Sequence, residues 1–404
     1  MTNWMELEQK YYFHIINRMP LVIVRGQDSR VWDEDGKQYL DFVAGWAVLT
    51  LGHCSPIVVE ALKEQAEKLI LCSNQFYNIP QLELVQMLVE NSCLDKAFLS
   101  NSGAEANEGA IKLARKYGKV HLNGAYEVIT TLKSFHGRTL AMVAATGKPA
   151  YQESFKPLPA GFINVEYNNI EALKTATTDR TCAIMLEPVQ GEGGVNVPDL
   201  DYLKQVRAWC DERGILLIFD EVQTGVGRLG TLWGYQQFGV EPDIMTVAKG
   251  LGSGVPIGAF LGKEKTAVFT PGDHGSTYGG NALMSAVGKA VLSHVLEKDI
   301  PGHVAKIGAY MTSKLEELNA KDPRIIEVRG RGLLQAIEFD REMSDAVVRN
   351  CLSKGLLLNA VKPTAIRFMP PLTIGEAEVD EAIAILSRAL DETTVEAPEA
   401  QTGP

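Results

Sequence analysis

Two polar residues close two successive apolar runs in this chain, and together they could do chemistry. Ile215–Asp220 (ILLIFD) is a run of bulky apolar residues ending in a carboxylate, and Asp243–Ala248 (DIMTVA) runs into Lys249 and the glycine-rich turn KGLGSG. Short apolar runs of this kind read as buried strands of a parallel sheet. Asp220 and Lys249 then stand at the carboxyl edge of that sheet, where open α/β sheets bind their ligands. An amine at that edge can link covalently to an aldehyde, and a carboxylate can hold a proton on a ring nitrogen. Pyridoxal 5′-phosphate needs both, because its protonated ring is the electron sink.

Other motifs supply what such a cofactor would require. In SNSGAEANEGAIKLARK a serine and a glycine precede a helical pattern whose Ala106, Ala110, Leu113 and Ala114 share one face. The free amides of Ser102, Gly103 and Ala104 at that helix start form an anion site. Alone, the pattern is that of an ordinary N-cap; beside Asp220 and Lys249 it becomes a phosphate cradle. In FHGRTL, Phe135 can lie on a ring and Arg138 can hold a carboxylate with its planar fork. A core phenylalanine and a solvated arginine are the alternatives. FDEVQTGVGR carries Glu221, Val222 and Gln223 directly after Asp220, and all three are assigned to the cofactor-binding stretch. Val222 would press on the ring face and Gln223 would reach the phenolic oxygen. Ser276 and Thr277 stand in the glycine-rich loop HGSTYGGN, suited to phosphate or carboxylate oxygens.

These residues need a large scaffold, and 404 residues exceed one typical domain. Strand-like and helix-like segments alternate, which predicts an α/β fold with a mostly parallel central sheet. The expected division is a hairpin-bearing arm (1–45), a large cofactor-binding domain (46–290), and a C-terminal segment (291–404) that forms the smaller α/β domain with the arm. Asp35-Gly36 marks the hairpin turn. Helices are expected at Ile57–Leu71, Gln81–Asn91, Ala282–Leu296, Ser344–Ser353 and Glu376–Asp391, the Ala282–Leu296 helix leaving the core. Strands are expected at Ala97–Leu99, EVIT, TCAIMLE, the IIEVRGRGLLQAIEF pair, LLLNAV and AIRFM. The polar ending EAPEAQTGP is expected to be disordered.

A net charge of −11 leaves no basic excess for phosphate neutralisation, so a nucleic-acid partner is not expected. The opening MTNWMELEQKYYF reads as neither signal peptide nor anchor, and no apolar window is long enough to span a membrane. Six scattered cysteines without a CxxC pair fit free thiols in the cytoplasm. The histidines form no ligand-spaced cluster, so no metal is expected.

The motifs LGHC, NSGAEANE, FHGRT, LEPVQGEGGV, LLIFDEVQTGVGR, DIMTVAKGLGSGVPIGA, HGSTYGGN and IRFMPPL span residues 30 to 375. With them the chain resembles the class III (omega) aminotransferases of PLP fold type I, and among these the acetylornithine aminotransferases. The resemblance implies that Lys249 carries the cofactor and shuttles the substrate proton, and that Asp220 pairs with the ring nitrogen. It implies that Gly103 and Ala104 bind the phosphate, Phe135 stacks, and Gln223 touches the phenolic oxygen. Thr277 would reach the phosphate in a neighbouring subunit, with Ser276 near substrate, giving a homodimer with shared sites. The implied reaction passes the terminal amine of N2-acetylornithine to 2-oxoglutarate. Succinylornithine, succinyldiaminopimelate, ornithine and 4-aminobutyrate are the alternative donors. A regulatory module that only binds the cofactor is a remote alternative, and the chain has no basic segment for it.

One site must then serve two kinds of amine. Glutamate reacts beside a carboxylate, an omega-amine beside none, and an arginine fixed for the first would be buried and unpaired for the second. The resemblance assigns Arg367 (IRF) to that carboxylate and Glu192 (GEGG) as its movable partner, with Arg138 holding the distal carboxylate. The chain departs from the family pattern at Trp46, Ser55, Leu229 and Ala282. Trp46 stands in the pocket stretch AGWAVLTLGHCSP, where its indole can wall the substrate site; a core position is the alternative.

Overall fold

The computed structural model describes residues 3–393, so EAPEAQTGP lies outside the described residues. After an N-terminal helix (Trp4–Tyr11) the chain forms an antiparallel meander of β1 (Ile23–Gln27), β2 (Arg30–Asp33) and β3 (Gln38–Asp41). Gly36 takes the left-handed conformation (φ 81°) that the β2–β3 turn demands. The central sheet is built from β4 (Lys96–Ser100), β5 (Glu127–Thr131), β6 (Phe162–Val165), β7 (Thr181–Leu186), β8 (Leu216–Asp220), β9 (Ile244–Val247) and β10 (Gly258–Gly262). Its order is β4-β10-β9-β8-β7-β5-β6, and β10 alone runs against the others. A third sheet, β11-β12-β15-β14, holds β11 (Ile325–Arg331), β12 (Leu334–Phe339), β14 (Asn359–Lys362) and β15 (Ala365–Phe368). The two-residue β13 (Leu356–Leu357) instead pairs in parallel with β3, tying the C-terminal segment to the N-terminal meander.

Every residue of β5, β7, β8 and β9 is buried, as expected for strands with helices on both faces. Asp220 pairs in register with Thr246, so the end of β8 and the residues after β9 share one edge. The helix Gly103–His121 lies against β7, β9 and β10, burying Ala106, Ala110, Leu113 and Ala114. Its first turn is thereby delivered to the edge that carries Asp220.

Four expectations are revised. The helix expected over Ile57–Leu71 spans Pro56–Ala66, and Leu69, Ile70 and Leu71 beyond it are exposed. The run LLLNAV is two strands in different sheets, β13 and β14. The helix Ala282–Glu297 does not leave the core: it packs on Pro56–Ala66 and Ile79–Glu90 through buried Val287, Val291 and Val295. Strands β6 and β10 were not anticipated. The helices Ser344–Ser353 and Glu376–Asp391 have the expected bounds.

Candidate active site

The carboxyl edge of β8 and β9 opens into a cavity of about 470 Å³ whose wall includes Ser102, Gly103, Phe135, Asp220, Val222 and Lys249. Asp220, 3% exposed, is held from three directions. Its Oδ2 accepts from Asn107 Nδ2 and His136 Nδ1, each at 2.8 Å, and its Oδ1 accepts from the Val222 amide at 2.9 Å. Asn107 is fixed in turn: Thr246 Oγ1 donates to its Oδ1 at 2.6 Å, and its Nδ2 also donates to the His136 carbonyl at 2.7 Å. The second nitrogen of His136, Nε2, is buried without a partner among the described residues.

Lys249 follows β9 in a left-handed conformation (φ 39°), in a turn whose Gly250 approaches Thr50 too closely for a side chain. Burial pushes its ammonium below the usual lysine value; Glu192 opposes the shift and Arg367 reinforces it. At the opposite wall Ser102 caps the helix Gly103–His121, its Oγ accepting from the Glu105 amide at 3.2 Å. The amides of Gly103 and Ala104 lie in the first turn, where no intrahelical acceptor exists. A Cβ on Gly103 would stand 2.8 Å from Val222 Cγ1, so only glycine lets the cradle and the Val222 wall close together.

Arg367, on β15 and fully buried, is ringed by acceptors. Its Nη2 lies 2.7 Å from Glu192 Oε1 and 2.9 Å from Asn359 Oδ1, and its Nη1 donates to Gln223 Oε1 at 3.1 Å. Burial opposes charge on Glu192, but Arg367, Lys249 and Lys148 outweigh it and hold the carboxyl at about 2. Lys148 Nζ also donates to the Glu192 carbonyl at 2.7 Å, anchoring the loop that bears it. Gln223 thus faces Arg367 and, through Nε2 at 3.4 Å, Glu192.

Arg138 lines the cavity from an exposed position, and among the described residues it has no carboxylate partner. Glu187, absent from the sequence reading, accepts the amides of Phe135 (2.9 Å) and Gly191 (3.0 Å) and is pushed up to about 7 by burial, with Asp220 adding to the effect. His136, Asn107, Lys148 and Asn359 were also missed. His136 and Asn107 both stand inside motifs singled out by sequence, FHGRT and NSGAEANE, where a role for them could have been sought.

Four expected residues lie elsewhere. Glu221 faces away from the cavity, its oxygens accepting from Thr224 Oγ1 and the amides of Gly234 and Tyr235. It braces the loop after β8 and offers no side-chain contact to a cofactor, so that expectation is corrected. Ser276 Oγ accepts from Asn101 Nδ2 (3.3 Å) and the Gly279 amide (2.9 Å), while Thr277 is exposed; neither lines the cavity of its own chain. Trp46 is 51% exposed, so it is no core residue. It lines a second cavity of about 600 Å³ that also touches Asn359. Ala44, Trp46 and Ala47 all have positive φ, and Asp41 Oδ1 secures this strained turn by accepting the amides of Val43 and Ala44.

The donor set fits a phosphorylated pyridine aldehyde: a buried carboxylate, an amine of lowered basicity, a helix-start anion cradle and an aromatic wall meet in one cavity. Residues 12–390 match the family model described as Aminotransferase class-III. The acetylornithine aminotransferase of Caldanaerobacter subterraneus subsp. tengcongensis is 52% identical over 386 residues, 95% of this chain and 98% of that protein. That of Methanocaldococcus jannaschii is 51% identical over 396 residues, covering 98% of each. A Toxoplasma gondii ornithine aminotransferase, described with PLP at partial occupancy in its active site, superposes with a TM-score of 0.91 at 36% identity, over 96% of this chain and 93% of that one. The chain belongs to the class-III aminotransferases, and its fold is PLP fold type I. It is therefore an aminotransferase of a family whose cofactor is pyridoxal phosphate.

Proposed function

We propose that this enzyme transfers the terminal amine of N2-acetylornithine to 2-oxoglutarate, giving N-acetylglutamate 5-semialdehyde and glutamate. The observation that carries this reading is the Glu192–Arg367 pair at 2.7 Å, whose carboxylate lines the same cavity as Lys249 while the arginine is buried behind it. A buried arginine neutralised by a carboxylate suits a substrate carbon with no charge beside it, and the same arginine freed suits glutamate. The two acetylornithine aminotransferases above, half identical over nearly the whole chain, support the choice of donor.

Pyridoxal 5′-phosphate, when bound, supplies an electron sink for charge that develops on the substrate carbon. Ser102, Gly103 and Ala104 would hold its phosphate, Asp220 the proton on its ring nitrogen, and Phe135 and Val222 its two faces. Gln223 would border its phenolic oxygen while keeping its contact to Arg367. Lys249 Nζ, its basicity lowered by burial, takes the proton from the amine-bearing carbon. Arg138 holds the distal carboxylate: the α-group of acetylornithine or the γ-group of glutamate. Asn107 and His136 keep the Asp220 carboxylate oriented.

Thr277 and Ser276, turned away from the cavity of their own chain, would complete the site of a second copy in a homodimer. We read residues 46–290 as the cofactor-binding domain and 1–45 with 291–404 as the smaller one; the pairing of β13 with β3 favours this grouping. Among the described residues no helix is long and apolar enough to cross a membrane, and all six cysteines are free, in keeping with a cytoplasmic enzyme.

The test is a single half-reaction without keto acid. The visible band of the cofactor is followed after mixing with N2-acetylornithine, ornithine, succinylornithine or 4-aminobutyrate. Fastest loss with acetylornithine is expected. Faster loss with another amine would move the enzyme to that donor, with Trp46 and the cavity it lines as the first place to look.

A further inference from the structure

We propose that Tyr151 is a positioning residue for substrate carboxylates, acting through Arg138. The inference rests on the reading that Arg138 binds the distal carboxylate. Tyr151 lies outside the cavity wall, in the short helix Pro149–Gln152. Its ring sits under the guanidinium, 3.8 Å from Arg138 Cζ, and the Phe135 ring lies 5.5 Å away.

An arginine that must capture a carboxylate poses a physical problem. Left free, its long side chain samples many rotamers, and ordering it weakens binding. Held by a protein carboxylate, it is ordered, but its N–H donors are occupied and its charge is neutralised. Stacking on an aromatic face avoids both costs. The ring quadrupole attracts the cation and restrains the plane, while the N–H groups along the edge stay available. Arg138 is held in this way: aromatic faces beside it, and no acid partner among the described residues.

The second arginine is held differently. Arg367 is fixed by hydrogen bonds to Gln223 and Asn359 and paired with Glu192, so its charge is available only when Glu192 leaves. Arg138 serves both half-reactions and requires no gate. Tyr151 also lies 5.3 Å from Lys148 Nζ, the ammonium that anchors the Glu192 carbonyl. One ring therefore borders both carboxylate-reading elements. Its effect must be the same for the amino donor and for 2-oxoglutarate, since both present a carboxylate to Arg138.

The test compares holoenzyme carrying Tyr151→Leu, Tyr151→Phe and pentafluorophenylalanine at position 151. The last keeps the shape of the ring, and hence the fold, while removing its negative face. Calorimetry measures binding of glutarate, a dicarboxylate without an amine or keto group, and steady-state kinetics gives KM and kcat for both substrates. Leucine and the fluorinated ring are expected to weaken glutarate binding about three- to thirtyfold, the range a cation–π contact spans. They should raise both KM values by a common factor while kcat stays within about twofold. Phenylalanine should behave as wild type. Unchanged glutarate binding in the fluorinated protein, with Arg138→Met weakening it, would overturn the role of Tyr151 and leave that of Arg138 standing. If Arg138→Met is silent as well, the assignment of Arg138 fails and the inference falls with it.

Discussion

Arg367 and Glu192 meet at 2.7 Å although one belongs to β15 and the other to the loop after β7. The arginine keeps two further acceptors, Asn359 Oδ1 and Gln223 Oε1. The glutamate is anchored through its backbone, by Lys148 on its carbonyl, and its side chain also accepts from Gln223 Nε2 at 3.4 Å. An arginine held in place beside a carboxylate that can yield it is what the proposed dual-substrate site needs.

Glu192→Ala should therefore separate the two half-reactions. For the omega-amine donor it leaves Arg367 charged, buried and one partner short, and that half-reaction should slow about tenfold or more. For glutamate the departing carboxylate is already gone, and the reaction should be unchanged or faster. Single-turnover traces with each substrate measure this. Equal losses in both would sink the switch and leave a static ion pair.

Asn359→Leu asks whether the arginine has to be held. The substitution removes the one acceptor shared by Nε and Nη2, at 3.2 and 2.9 Å. We expect the KM for 2-oxoglutarate to rise about tenfold, the scale of one lost charge-assisted hydrogen bond. The KM of the omega-amine donor, which does not use Arg367, should stay within about twofold. A parallel rise in both values would mean that Asn359 supports the cavity as a whole.

How far these residues could be read in advance followed their physical setting. Asp220 and Lys249 were legible because each ends a run that is mostly or wholly apolar, and fully buried strands leave that mark. Arg367 and Glu192 entered only through resemblance, since nothing local says that β15 will face the loop after β7. Asn359 was invisible because LLLNAV reads as one strand, whereas the chain changes sheets between β13 and β14 and turns that asparagine toward the arginine. The helix expected to reach Leu71 stopped at Ala66 because the pattern continues where burial does not: Leu69, Ile70 and Leu71 are exposed. Glu221 was misplaced for the opposite reason. It directly follows Asp220, and alternation at a strand end sends its side chain to the other side, toward the amides of Gly234 and Tyr235.

Gly103→Ala should weaken the cofactor site without touching a charged group. The added methyl would meet Val222 Cγ1 at 2.8 Å and Cγ2 at 3.0 Å, and a β-branched side chain on a short loop has little room to yield. Overpacking of this kind costs about 1–3 kcal/mol. The expected result is roughly tenfold or greater loss of pyridoxal phosphate affinity in an equilibrium titration, with a small change in the melting temperature of protein freed of cofactor. Wild-type affinity in the variant would show that helix start and Val222 need not approach so closely.

Glu187 gives the molecule a pH dependence of predictable sign. Burial, with Asp220 nearby, raises its carboxyl from 4.5 to about 7, so the folded state binds its proton more tightly than the unfolded chain does. Its contribution to stability is complete below about 4.5 and is lost as pH rises through about 7. The full swing is on the order of 3 kcal/mol for a shift of this size. Glu192 acts oppositely and lower: held at about 2, it stabilises the fold above its unfolded value, and that support fades as pH falls from 4.5 toward 2. Between pH 5 and 8 only Glu187 of these two changes charge. Urea unfolding across that range should show stability declining in the wild type, and Glu187→Gln should lessen the slope, the remainder belonging to Glu221, whose carboxyl burial also pushes up to about 7. Below about pH 5 the glutamine should lower stability, because its amide cannot accept from both Phe135 and Gly191 as the carboxyl does. An unchanged slope in the variant would assign the titration to another group and leave Glu187 only its work of tying the Phe135 segment to the loop of Glu192.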